Sequence, residues 1–127
     1  MTDRVQTEKL LNDLYASRVD GRLENLCALF SAQANFRIAG AGDVKPIAIN
    51  AHGIDEIRTW LSMMVRTFKL NDFEVVSVTI ENSRAAVHWR AKILSKITGV
   101  MIPTELIDLV EVIDGRIGSY IEFFVAS

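Results

Sequence analysis

The side chains able to move a proton near neutral pH are few: two histidines, His52 and His88, and one cysteine, Cys27. Imidazole is the side chain whose ordinary pKa lies closest to neutrality, so His88 could take a proton from water or from a carbon beside a carbonyl. A histidine satisfied within a pocket wall is the competing reading, since a lone histidine carries no signal of its own. His52 stands just before a helical run, where a polar residue caps the helix or is simply solvated. Cys27 lies in Leu26-Cys27-Ala28-Leu29-Phe30, an apolar run that reads as helix, and a nucleophilic thiol would need a base and an electropositive setting. A small buried filler is the better reading. A single cysteine excludes an internal disulfide and a cysteine-based zinc site. His52, His88 and a carboxylate match no ligand spacing, and no Gly-rich phosphate loop, Gly-x-Ser-x-Gly elbow or dinucleotide fingerprint is present. No metal and no cofactor is expected.

The chain that must position these groups has 127 residues, which predicts one domain, 1–127. Hydrophobic residues make up 50% and charged residues 24%, enough to bury a core and too apolar for disorder. A net charge of −2 gives no basic field for a phosphate backbone, so no nucleic acid is expected. The apolar runs are strand-length, well short of the roughly 20 residues of a membrane span. The polar start, Met1 to Lys9, has no apolar signal core, so the expectation is a cytoplasmic protein with no membrane partner.

Along the chain, Val5, Leu10, Leu11, Leu14 and Tyr15 share a helical face in a segment from about Thr2 to Val19, closed by Asp20-Gly21. A short helix is predicted over Leu23–Phe30 and a strand over Ala34–Ile38. A loop follows over Ala39–Asp43, and Pro46 leaves an extended or irregular connection to Ala51. Ile54, Ile57, Leu61, Met64, Val65 and Phe68 stripe a third helix, with Trp60 beside them. Four strand-rich runs come next, Phe73–Ile80, Arg84–Leu94, Val100–Val112 and Arg116–Val125, separated by Glu81-Asn82-Ser83, Thr98-Gly99 and Asp114-Gly115. Helices followed by an antiparallel meander predict an α+β fold with helices on one face of a sheet.

The run after Arg84 alternates two faces: Val87, Trp89, Ala91 and Ile93 on one, Ala86, His88, Arg90 and Lys92 on the other. Either the tryptophan face is buried and the charged face lies in water, or both faces are withdrawn from solvent, one against helices and one against a partner subunit.

Three ordered segments carry a resemblance that spans nearly the whole chain. They are Asp20-Gly21-x-Leu23-x-x-Leu26-x-Ala28-Leu29-Phe30, His52-Gly53-Ile54-Asp55-x-Ile57-Arg58, and Asp114-Gly115-Arg116-Ile117 with Glu122-Phe123-Phe124. In this order they resemble the nuclear transport factor 2-like superfamily, nearest its SnoaL-like and ketosteroid-isomerase-like branch. The resemblance implies a cone whose strongly curved, mainly antiparallel sheet wraps the N-terminal helices, with a pocket at its open end and a homodimer across its convex face. It further implies that His88 and Arg90 face the pocket, that Trp89 lies on the convex face, and that Trp60, Asp108, Tyr120, Glu122 and Phe124 line the cavity.

Ketosteroid isomerase itself uses an aspartate base, a tyrosine and a protonated aspartic acid. By the resemblance these positions fall at Ile38, Leu14 and Asp108, so that mechanism lacks its base, and Tyr15 would point about 100° away from Leu14 around the helix. The limonene epoxide hydrolases, another branch, bridge two aspartates with an arginine, which suggests a set of Arg90, Asp108 and Glu122. The implied function is a cofactor-free isomerase, cyclase, hydratase or hydrolase acting on a small, mostly apolar carbonyl or epoxide compound. A non-catalytic dimeric binding or accessory domain is the alternative. The expected catalytic set is His88, Arg90, Asp108 and Glu122, with His88 as proton acceptor. Leu14, Ile38, Trp60, Met64, Tyr120 and Phe124 are the expected contacts for a small apolar or amphipathic ligand.

Overall fold

A computed structural model describes residues 4–39 and 48–125. Helix α1 (Arg4–Asp20), helix α2 (Leu23–Ala28), strand β1 (Phe30–Ala39), strand β2 (Ala48–His52) and helix α3 (Ile54–Thr67) precede four long strands. These are β3 (Phe68–Glu81), β4 (Arg84–Ser95), β5 (Met101–Ile113) and β6 (Arg116–Phe124). The six strands form one sheet in the order β2-β1-β6-β5-β4-β3. β1 and β6 run parallel, and every other neighbouring pair is antiparallel. The fold is therefore α+β, a curved sheet with helices in its concavity.

Local chemistry sets the boundaries. Gly21, at φ 69°, closes α1, and the Arg22 N–H reaches back to the Ser17 carbonyl at 2.9 Å. Asp114 and Gly115, both at positive φ, make the tight β5–β6 turn. α3 opens with Glu56 in its first turn accepting the His52 backbone N–H at 3.1 Å, while His52 Nδ1 lies 2.8 Å from Asn35 Oδ1. His52 is thus an exposed structural residue at a helix start. Two interruptions in the β3–β4 ladder, at Asn71/Glu74 and Val75/Ser77, are bulges of the kind that add twist and bend a strand.

Several expectations are adjusted. β1 starts at Phe30, not Ala34, because the Ile117 N–H takes the Leu29 carbonyl and draws Phe30 into the ladder beside β6. The connection before α3 contains a strand, β2, paired with β1. The loop expected over Ala39–Asp43, like Pro46, falls mostly outside the described residues. Val5 is exposed rather than part of the buried stripe, which instead includes Thr7.

The core lies between α1 and the concave sheet face. Leu10, Leu11, Leu14 and Tyr15 pack there with Phe36, Val87, Trp89, Leu106 and Val110. Burying a side chain as large as Leu or Phe is worth roughly 1.5–3 kcal/mol, so the tryptophan face of β4 dominates the choice of which side turns inward. Cys27 is buried in this core as a free thiol, and burial raises its pKa. Among the described residues no helix is long and apolar enough to cross a membrane.

Candidate active site

The face that β4 buries decides the site. Trp89 is 0% exposed, so the intervening residues point outward, opposite to the placement implied by resemblance. His88 Nε2 lies 2.9 Å from Glu105 Oε2, and Arg90 pairs with Glu74 at 2.6 Å, on the outer face. Neither reaches the cavity. Side chains along a strand alternate with a period of two, so placing one residue fixes all its neighbours. The tryptophan prevails because its desolvation outweighs that of a histidine and an arginine that find exposed carboxylates.

Asp108 and Glu122 do lie inside. They are direct partners across the β5–β6 ladder and both are buried. Opposed like charges repel, so this pair needs a cation. Arg18, in the last turn of α1, supplies it: Nη1 donates to Glu122 Oε2 at 2.6 Å and to the Tyr120 hydroxyl at 3.0 Å, and stands 4.0 Å from Asp108 Oδ2. Its guanidinium also rests over the Trp89 ring, 5.0 Å from the centroid. Arg18 therefore takes the role expected of Arg90. Its sequence signal is a charge seven, four and three residues after Leu11, Leu14 and Tyr15, on the same side of α1 as these buried side chains.

Asp108 Oδ2 accepts from three donors, the hydroxyls of Tyr15 and Tyr120 at 2.5 Å each and Trp89 Nε1 at 2.7 Å. Tyr15, rather than Leu14 at the position the resemblance matched to a tyrosine, thus reaches Asp108, and Leu14 is packed in the core rather than against the cavity. Asp108 Oδ1 is buried with no hydrogen-bond partner. Burial, and after it the charge of Glu122, raises the Asp108 carboxyl from 3.8 to about 7, against the opposing pull of Arg18, Tyr120 and Tyr15. Burial also drives the Tyr15 and Tyr120 hydroxyls well above their ordinary range, reinforced by Asp108, so both stay protonated donors. Burial works against the Arg18 charge, but Glu122, Tyr120 and Asp108 override it and hold the guanidinium protonated.

A cavity of about 630 Å³ opens beside this cluster, walled by Ile38, Ile49, Trp60, Leu61, Met64 and Phe124 among other mostly apolar residues. Ile38, Trp60, Met64 and Phe124, expected as ligand contacts, are among the residues that line it. Tyr120 sits behind the wall and reaches it only through its hydroxyl, 3.2 Å from Glu122 Oε2. Among the described residues, the charged groups in the lining are Arg18 and Glu122. Arg18 meets its protein partners through Nη1 and Glu122 through Oε2. Glu122 Oε1 and the other guanidinium nitrogens have no polar partner among the described residues. The cavity floor thus offers a hydrogen-bond donor beside a base.

A curved six-stranded sheet around N-terminal helices, with a pocket between them, is the architecture of the nuclear transport factor 2-like fold. The sequence matches the family model of the SnoaL-like domain over residues 11–120, and the chain belongs to that family. Solved structures agree on the fold. A Bacillus subtilis protein described as a "putative isomerase" superposes with a TM-score of 0.83 at 17% identity, covering 98% of this chain and 90% of that one. A Catenulispora acidiphila protein with a ketosteroid isomerase-like fold, solved with trimethylamine, gives 0.75 at 13% identity, covering 93% and 86%. An LEH-like epoxide hydrolase from M. tuberculosis gives 0.75 at 11% identity, covering 95% and 84%. No curated protein matches the sequence.

Proposed function

We propose that the cavity binds a small, mostly apolar carbonyl compound and that the protein is a cofactor-independent acid–base enzyme of the isomerase type. One observation carries this reading: Arg18 and Glu122 line a mostly apolar cavity side by side, and each keeps side-chain nitrogen or oxygen atoms that no other described residue occupies. In the proposed step, Glu122 Oε1 takes a proton from the carbon next to the carbonyl. The electron pair of the broken C–H bond moves into the new C=C bond, and the carbonyl π pair moves onto oxygen. The Arg18 guanidinium stabilises that oxyanion. Where a second C=C adjoins that carbon, the enolate is a dienolate; the proton returns at its γ-carbon as the oxyanion pair re-forms the carbonyl, which completes an isomerisation. Apolar walls make both interactions stronger than they would be in water.

The test is exchange of the α-hydrogens of small ketones and enones in heavy water, followed by proton NMR. Positioned general-base catalysis is worth about 10²–10⁴-fold. Glu122→Gln should therefore slow exchange by two orders or more while binding, read from tryptophan fluorescence, changes little. Ligand binding without any exchange would support the non-catalytic alternative, a binding domain.

A second reading, epoxide hydrolysis, draws on Arg18 standing between two carboxylates. It is less favoured because Asp108 is wrapped by three protein donors and does not line the cavity. Conversion of epoxides with no exchange of ketones would reverse this order. We further propose a cytoplasmic homodimer joined through the outer sheet face, where Ile107, Leu109 and Phe123 are exposed.

A further inference from the structure

The cavity ends at an edge that no catalytic role explains. The β4–β5 hairpin carries Ile97, 79% exposed, at its tip, followed by Val100, Met101 and Ile102, each at least half exposed, with Phe68 of β3 beside them. Pairing of Phe68 with Ser95 and a hydrogen bond from the Lys96 N–H to the Thr67 carbonyl join these segments into one rim. Phe68, Val100 and Ile102 also line the cavity, so their exposure marks its mouth. Around the rim stand Arg66, Lys69 and Lys96, all exposed. None pairs with a carboxylate among the described residues; Arg66 and Lys96 reach only the backbone carbonyls of Ser62 and Val65. This is a local excess of positive charge on a chain of net charge −2.

We infer that this rim docks the protein on an anionic lipid bilayer, with the hairpin tip inserted and the cavity mouth facing the lipid. Basic side chains around a protruding apolar tip match a surface that is anionic at its headgroups and apolar beneath. A second copy of the chain would present the same positive charge to itself. The geometry also gives an apolar ligand a route from lipid to cavity without crossing water. Sequence scanning for spans is blind to such an edge, because docking needs a few residues rather than a 20-residue run. The inference does not depend on which reaction the cavity performs.

The full chain should co-sediment with vesicles containing phosphatidylglycerol and much less with pure phosphatidylcholine, and added salt should weaken the association. Ile97→Asp, and separately the pair Lys69→Glu and Lys96→Glu, should each lower vesicle affinity by on the order of tenfold or more. Far-ultraviolet circular dichroism should stay unchanged, because all three side chains are exposed. Failure of the wild-type chain to bind anionic vesicles, or equal binding by Ile97→Asp, overturns the inference. Self-association that Ile97→Asp abolishes, without vesicle binding, would overturn it in favour of a second copy.

Discussion

Arg18 holds two buried carboxylates together, and its removal should be felt more than that of any surface cation. Stranding a buried charge typically costs about 3–5 kcal/mol, so Arg18→Met should lower stability by that order in chemical denaturation. The double variant Arg18→Met, Glu122→Gln should recover much of the loss, because it removes the charge left behind. Arg90→Met should do little, since the Arg90–Glu74 pair is exposed on both sides and such pairs contribute about 0–1 kcal/mol. Asp108 gives a pH dependence of unusual sign. Its carboxyl titrates at about 7 in the folded chain and near 3.8 as an unperturbed group. Between those values the unfolded chain releases a proton that the folded chain keeps, so stability falls as pH rises from about 4 to about 7 and then levels. The difference in melting temperature between wild type and Asp108→Asn, followed from pH 4 to 8, should show that decline. A flat difference would place the carboxyl at an ordinary value.

At the scale of elements, the β5–β6 hairpin sets Asp108 opposite Glu122. Gly118 makes that hairpin fit. A Cβ added there would come within 2.6 Å of Ile113 Cδ1 and 2.9 Å of its Cγ1. The backbone conformation itself places no demand on glycine, so the cost is steric. Gly118→Ala should destabilise by about 1–3 kcal/mol, the usual range for overpacking. Adding Ile113→Ala should relieve the clash at small cost, since Ile113 is half exposed. Urea midpoints of the two variants would separate this account from a general strand preference.

At the scale of the molecule, one sheet serves two surfaces. Its inner face holds the core and the cluster; its outer face shows Ile107, Leu109 and Phe123 bordered by the pairs His88–Glu105, Arg90–Glu74 and Arg84–Glu111. An apolar centre with a charged rim is the usual anatomy of a protein interface. Leu109→Glu should therefore convert the proposed homodimer to a monomer by light scattering while leaving the fold intact. A wild-type mass of one subunit would remove the dimer. Trp89, expected at that interface, is instead a core residue, and replacing it with a charged residue should unfold the chain rather than dissociate it.

Periodicity and turn chemistry in the sequence determined the helices and the four long C-terminal strands in order, though not β2, together with the Asp114-Gly115 hairpin, the α3 stripe and the grouping of Glu122 with Phe124 on one strand face. These are local: each depends on residues within a few positions of one another. The ordered motifs also pointed to the family that the SnoaL-like match establishes. Tertiary structure alone decided which face of β4 turns inward, because alternation gives two faces without labelling them and the balance lies in desolvating Trp89. It also decided the cation of the cluster. Arg18 is 104 residues from Glu122 in sequence and meets it only because α1 lies in the concavity of the curved sheet.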